Sequence, residues 1–127
     1  MNGIEDKRIL VTGASSGIGQ AIAIRLAAEG AQVGINYFRS REGAEATTNE
    51  IQSADSRHSP ILLPADLADE SAVDSMFDQF LETMGGIDIL INNAAWQAEC
   101  SSHETSRSDF EAILATNLMG AFHCAQR

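Results

Sequence analysis

A chain of 127 residues is about one domain long and can bury one hydrophobic core. Its 44% hydrophobic and 20% charged residues match an ordinary globular domain, and no apolar run approaches the ~20 residues of a membrane span. A formal net charge of −10 disfavours sequence-independent binding to nucleic acid or to an anionic membrane, since both need basic patches. Met1 to Lys7 lacks the basic-then-apolar order of a signal peptide, so the expected compartment is the cytoplasm. Cys100 and Cys124 have no CxxC spacing and no histidine cluster around them, which argues against a disulfide framework and against a metal site.

In chain order, Arg8-Ile9-Leu10-Val11 reads as a short buried strand, followed by Thr12-Gly13-Ala14-Ser15-Ser16-Gly17-Ile18-Gly19. Ile18, Ala21, Ile22 and Leu26 then recur at helical spacing, so the glycines fall on a strand-to-helix turn. Glycine adopts conformations that L-residues avoid and lets main-chain N–H groups approach an anion. The helix N-terminus adds unpaired donors and a partial positive charge, which suits the pyrophosphate of a dinucleotide. Gly30 stands where a helix C-terminal cap is expected, and Gln32 to Tyr37 reads as the second strand. A helix with a weak apolar face follows, from about Arg41 to Ala54.

Pro60-Ile61-Leu62-Leu63-Pro64 reads as a third strand with prolines at its limits, and Ala65-Asp66-Leu67 as the loop leaving it. Asp69 and Glu70 open a helix in which Val73, Met76, Phe77, Phe80, Leu81 and Met84 form one apolar face, ended by Gly85-Gly86. Ile87 to Ile91 is the fourth strand and runs into Asn92-Asn93-Ala94-Ala95. Ser108-Asp109-Phe110-Glu111 has the pattern of a capping box and opens a last helix, whose stripe is Phe110, Ile113, Leu114, Leu118, Ala121, Phe122 and Ala125. Strands and helices alternate with no proline- or glycine-rich linker between them. The expected fold is therefore α/β, a Rossmann-type doubly wound parallel sheet of about four strands in the order 3-2-1-4, forming one domain over 1–127. Four loops converge at its C-terminal edge: 13–19, 36–41, 66–67 and 92–96.

Gly13, Gly17 and Gly19 read G-x-x-x-G-x-G, in contrast to the commoner G-x-G-x-x-G. With Asp66-Leu67 after the third strand, Asn92-Asn93-Ala94-Ala95 after the fourth and Asn117 in the last helix, the chain resembles the classical short-chain dehydrogenase/reductase family over essentially its whole length. Tyr37 to Glu45 and Ser101-Ser102-His103-Glu104 look most like glucose 1-dehydrogenases and related sugar or polyol dehydrogenases. The resemblance implies an NAD(P)-dependent oxidoreductase that moves a hydride between nicotinamide and an alcohol or carbonyl substrate, a sugar among the candidates. It implies that Gly13, Ser15, Ser16, Gly17, Ile18 and Gly19 receive the phosphates, with Tyr37, Arg39 and Ser40 at the ribose 2′ position. Asp66 would accept a hydrogen bond from the adenine amino group beside the Leu67 backbone, and Asn93, Ala94 and Ala95 would line the ribose side. Ala95 stands where the family more usually has glycine.

Between the cofactors, NADP is preferred over NAD. Asn36-Tyr37-Phe38-Arg39-Ser40-Arg41 offers no carboxylate for a ribose 2′-hydroxyl and two guanidinium groups for a 2′-phosphate. The competing reading makes both arginines solvated surface residues. Asp66 also reads as an ordinary turn residue, His103 as an ordinary loop histidine, and Trp96 either as a pocket wall or as loop packing. Asn117 lies on an apolar stripe, so either the backbone satisfies its amide or the amide perturbs the helix and orders a water. The resemblance places it in the family's catalytic set, supporting a water-mediated proton relay.

The family's chemistry also requires a tyrosine acid/base, a lysine that lowers its pKa and a serine that orients the substrate oxygen. The only tyrosine is Tyr37 and the only lysine is Lys7, and neither fits these roles. The chain therefore reads as the cofactor-binding half of such an enzyme, without the catalytic and substrate-binding part. A non-catalytic dinucleotide-binding module and an inactive truncated product are the alternatives. On this reading the fourth strand has an open edge, the last helix exposes apolar residues, and the full-length protein is a homo-oligomer.

Overall fold

A computed structural model describes residues 3–127, so Met1 and Asn2, the start of the segment read above for a signal peptide, lie outside the described residues. Four strands, β1 (Arg8–Val11), β2 (Gln32–Tyr37), β3 (Ile61–Pro64) and β4 (Ile89–Ile91), pair in parallel in the order β3-β2-β1-β4. Helices α1 (Gly17–Ala28), α2 (Arg41–Ser53) and α3 (Glu70–Met84) alternate with them. After β4, α4 (Arg107–Leu114) continues through a π-helical segment, Ala115–Gly120, into α5 (Ala121–Gln126). This is the Rossmann-type arrangement, with β1 inside the sheet and its C-terminal end facing the glycine turn.

The two-residue period of the strands divides the core. Ile9 and Val11 of β1 join Val33, Ile35, Ala23, Ala27, Ala44 and Ile51 on the α1 and α2 side. Leu10 joins Leu63, Val73, Met76, Phe77, Phe80 and Cys124 on the α3 side. Gly34 makes the second layer possible, because a Cβ there would lie 2.8 Å from the Phe80 ring and 2.9 Å from Leu63.

Several boundaries depart from the sequence reading, each for a local reason. β4 begins at Ile89 instead of Ile87. The Asp88 carboxylate takes the Arg8 N–H at 2.8 Å and the guanidinium at 2.9 Å while Asp88 N donates to the Arg8 carbonyl at 2.9 Å, so a side chain supplies one half of the pairing there. β3 begins after Pro60, which has no N–H to donate. α2 stops at Ser53, with Ala54 as its cap residue. α4 begins at Arg107 and is capped by Ser106, whose hydroxyl accepts from Asp109 N at 3.1 Å, so Ser108 is not the cap. α3 agrees with its signals: Asp69 accepts from Ser71 N and Ala72 N, and Gly85 ends the helix at φ 77°.

The last helix is not one continuous α-helix, and its stripe is not core. Phe110, Leu114, Leu118 and Phe122 are 55%, 38%, 62% and 52% exposed, whereas Gly120 and Cys124 are buried. Gly120 brings the π-helical segment against the loop after β3, where a Cβ would lie 2.8 Å from the Leu67 carbonyl. Burial pushes the Cys124 thiol up to about 11. Both cysteines are free thiols. Among the described residues β4 pairs only with β1, and no helix is long and apolar enough to cross a membrane. Also among the described residues, no group of three His, Cys, Asp or Glu side chains could hold a metal.

The Arg8 guanidinium and N–H hold the Asp88 carboxyl well below the usual carboxylate range. With the folded pKa depressed, the pair's contribution is present above the unfolded value of about 3.9 and is lost as pH falls below it toward the folded value. Denaturant unfolding should find wild type more stable than Asp88→Asn at pH 6, with the gap closing below about pH 4. A gap that persists unchanged into acid would contradict this.

Candidate functional site

A cleft of about 480 Å³ opens at the C-terminal edge of the sheet, at the end of β1. The glycine turn contributes Gly13, Ser15, Ser16 and Ile18 to its lining, and the end of β2 contributes Asn36, Tyr37, Phe38, Arg39 and Ser40. Ala65, Asp66 and Leu67 form another wall, opposite Asn93, Ala94, Ala95 and Trp96. Thr116 enters from the π-helical segment. Of the residues expected from the sequence, Gly17, Gly19 and Asn117 do not line the cleft but shape what does. Asn36, Phe38, Ala65 and Thr116 line it without having been singled out for it.

The three motif glycines are there for different reasons. Gly17 has φ 56° and nothing within 4 Å of a notional Cβ, so only its backbone conformation demands glycine. Gly19 has an ordinary helical backbone, but a Cβ would fall on the Gly13 carbonyl and the Asn93 amide. Gly13 combines both, with φ 64° and a Cβ that would lie 2.8 Å from Ala94 Cα. Together they let α1 start directly over the loop that follows β4.

The amides of the turn divide into two sets. Gly13 N donates to Asn36 Oδ1 at 3.1 Å and Ala14 N to the Asn36 carbonyl at 2.9 Å. From Ser15 to Gly19 no amide has an acceptor among the described residues; Gln20 N, bonded to Ser16 O, is the next to have one. Ser16 is the N-cap residue of α1, but its side chain accepts no capping bond. Open amides at a helix N-terminus make an anion site.

Thr12 and Asn93 fasten the turn to the loop after β4. The Thr12 hydroxyl accepts from Asn93 N and Ala94 N, both at 3.0 Å, and donates to the Ile91 carbonyl. Asn93 Nδ2 donates to the carbonyls of Thr12 and Gly13 at 3.0 and 3.2 Å. On the far wall one Asp66 oxygen accepts from Ala68 N at 3.0 Å, which closes a turn.

The two arginines after β2 differ. Arg41 Nε is bonded at 2.9 Å to Glu45, one helical turn on, which raises the Arg41 pKa. Arg39 has no carboxylate within ion-pair distance among the described residues, and its guanidinium lies 5.3 Å from the centroid of the exposed Phe38 ring. Ser40 caps α2, accepting from Gly43 N at 3.2 Å.

Asn117 sits inside the π-helical segment, and its side-chain amide pairs reciprocally with one residue of the opposite loop. Oδ1 accepts from Trp96 N at 2.7 Å and Nδ2 donates to Trp96 O at 2.9 Å. Of the two alternatives for this amide, satisfaction by backbone is the one seen, within a stretch that is locally π-helical.

A doubly wound parallel sheet with a glycine-rich strand-to-helix turn opening onto a cleft defines a Rossmann-type domain. The family model described as short chain dehydrogenase matches residues 7–127, and the chain belongs to this family of oxidoreductases. It is similar to a 3-oxoacyl-[acyl-carrier-protein] reductase of Staphylococcus aureus, 37% identical over 95% of this chain and 48% of the relative. It is also similar to 3beta-hydroxysteroid dehydrogenase 1 of Eggerthella lenta, 34% identical over 98% of this chain and 47% of that one. Among solved structures, a short chain dehydrogenase from Burkholderia cenocepacia in complex with NADP is 42% identical with a TM-score of 0.90, covering 98% of this chain and 50% of that one. A 3-ketoacyl-(acyl-carrier-protein) reductase from Brucella melitensis complexed with NADH is 32% identical with a TM-score of 0.87, covering 98% and 49%. The chain spans about half the length of the curated relatives it matches.

Proposed function

We propose that residues 1–127 form the cofactor-binding part of an NAD(P)-dependent oxidoreductase acting on an alcohol or carbonyl compound, with NADP preferred over NAD. The observation that carries this reading is the set of amides from Ser15 to Gly19 open among the described residues, beside an Arg39 that no carboxylate among them neutralises. Gly13 and Gly19 let the turn close against Ala94 and Asn93 with no Cβ in the way, and the amides from Ser15 to Gly19 stay open among the described residues, an arrangement that suits a dinucleotide pyrophosphate. Bound there, the nicotinamide supplies or accepts the hydride. The chain's own part is to bind and orient. The Ser15–Gly19 amides and the Ser16 hydroxyl hold the pyrophosphate, and Arg39 meets the 2′-phosphate beside Tyr37 and Ser40. Asp66 and Leu67 receive the adenine, and Asn93, Ala94 and Ala95 flank the ribose.

In this proposal Asn117 is a positioning residue: bonded to the backbone of Trp96, it fixes that loop against the π-helical segment. Tyr37 is 5% exposed at the end of β2 and Lys7 precedes β1, so no acid/base role is proposed for either. The names of the relatives give no support to a sugar substrate in particular. A cytoplasmic homo-oligomer, associated through the face that carries Phe110, Leu114, Leu118 and Phe122, belongs to the same proposal.

Titration of the full chain with both reduced cofactors tests the cofactor assignment. NADPH should bind more tightly than NADH, and Arg39→Ala should cost NADPH about tenfold or more while leaving NADH unchanged, because the lost bond is to a charged group. Equal binding of NADH and NADPH by the wild-type chain would sink the NADP preference.

A further inference from the structure

Among the described residues three polar residues are buried, Thr12, Asn36 and Thr47, and all three bond to the glycine turn or belong to it. Thr12 is its first residue. Asn36, at the end of β2, takes Gly13 N on Oδ1 and donates Nδ2 to the carbonyls of Leu63 and Ala65 at 3.1 and 3.4 Å. Thr47, fully buried on α2, lies with its hydroxyl 3.0 Å from the Ala14 carbonyl and accepts from Gln20 Nε2 at 2.8 Å. The hydroxyl is also 3.0 Å from the Gly43 carbonyl one turn back, so its single hydrogen serves two acceptors. One turn nearer the N-terminus, Gly43 lets α2 rest on the turn itself, since a Cβ there would fall on the Ser15 carbonyl.

Nothing in the formation of α2 calls for a hydroxyl at this place. Threonine is a mediocre helix former, and an apolar side chain of the same shape would fill the space between α1 and α2. What the hydroxyl adds is a hold on the Ala14 carbonyl. That carbonyl and the Ser15 N–H belong to one planar trans peptide and point in opposite directions. Drawing the Ala14 oxygen inward onto α2 therefore turns the Ser15 N–H outward, and Ser15 is the first amide of the turn without a protein acceptor. Asn36 performs the complementary task on the preceding residues, using the Gly13 and Ala14 amides internally.

We propose that Thr47, together with Asn36, is a positioning residue for cofactor phosphate: its hydroxyl fixes the Ala14–Ser15 peptide plane so that the first open amide of the turn faces the cleft. The inference rests on the proposed cofactor site and adds to it an element that touches no ligand. Orientation of the anion site comes from α2, the helix that also follows Arg39 and is capped by Ser40. The turn at the ribose 2′ position and the turn at the pyrophosphate thus share one support.

The test uses the full chain, two ligands and two variants. NADPH carries a pyrophosphate, whereas adenosine 2′-monophosphate engages only the adenine and 2′ region. Thr47→Val should weaken NADPH binding about tenfold and leave adenosine 2′-monophosphate within about twofold, while Thr47→Ser should restore wild-type affinity. Thermal unfolding of each variant confirms that the chain compared is folded. Unchanged NADPH affinity in Thr47→Val would overturn the proposal, as would parallel loss of both ligands or failure of the serine variant to restore binding. A wild-type chain that binds no NADPH overturns the cofactor reading itself, an outcome distinct from these three.

Discussion

Gly19→Ala lowers NADPH affinity by about a hundredfold or more and destabilises the chain by about 1–3 kcal/mol, the usual cost of forcing a carbon into a packed space. A Cβ at this position meets the Gly13 carbonyl group and the Asn93 amide, and the Gly13 carbonyl carbon lies only 2.9 Å away. Neither obstacle can swing aside. Gly13 O is main chain, and Asn93 Nδ2 is held between two carbonyls. Relief must come from lifting α1 off the turn, which moves the open amides together. Gly17→Ala provides the contrast, since it meets no atom within 4 Å and suffers only from φ 56°. Its expected cost is about 1–2 kcal/mol, that of an L-residue held in the left-handed region, with a smaller loss of NADPH. Titration and thermal unfolding of both variants give the comparison; Gly19→Ala binding NADPH as well as Gly17→Ala would show that close packing does not shape the site.

Thr12→Val is expected to lower unfolding free energy by about 2–4 kcal/mol, although it preserves side-chain shape. The amides of Asn93 and Ala94 both rely on the Thr12 hydroxyl, which is 1% exposed. Valine would leave two donors without an acceptor where water does not easily reach them. The Ile91 carbonyl suffers less, because it keeps the Thr12 main-chain N–H at 3.0 Å. Thr12→Ser retains the oxygen and should lose less than about 1 kcal/mol, the scale of one buried methyl. Urea unfolding curves decide the matter: a valine variant within about 0.5 kcal/mol of wild type would mean that these amides find other partners. For a small domain of ordinary marginal stability, the expected loss is a large share of the total.

Much of the architecture is legible because burial and backbone geometry leave strong local marks. β1 and β2 are short apolar runs entered and left by turn residues, and their limits read directly from Arg8–Val11 and Gln32–Tyr37. α3 has both caps and an unbroken apolar face, and its start and stop coincide with Asp69 and Gly85. The start of β4 is illegible for the opposite reason: Asp88 looks like an ordinary polar residue in a strand until Arg8, 80 positions away, is brought to it. The cap of α4 is ambiguous because Ser106 and Ser108 offer the same hydroxyl, and only the backbone angles choose. Within the cleft, the motif residues declare themselves by type and spacing. Asn36 and Thr47 do not, because a polar residue in a strand or on a helix ordinarily faces water, and their partners on the turn lie 23 and 33 residues away. Arg39 and Arg41 look equivalent in sequence. Glu45, at the i+4 position from Arg41, is the readable sign that separates them.

The exposed apolar residues of the last helix bear on the proposed association of copies of the chain. In a regular α-helix, residues four apart advance by about 40° beyond a full turn, so Phe110, Leu114, Leu118 and Phe122 would wind around the axis. The π-helical segment Ala115–Gly120 interrupts that run, and all four residues are exposed. Two forces of different range then act on this face. Copies with a net charge of −10 repel over distances set by the Debye length, about 30 Å in 0.01 M salt and about 8 Å near 0.15 M, whereas the apolar residues act only at contact. For the proposed association, ionic strength therefore sets how closely two molecules approach before these apolar residues can meet.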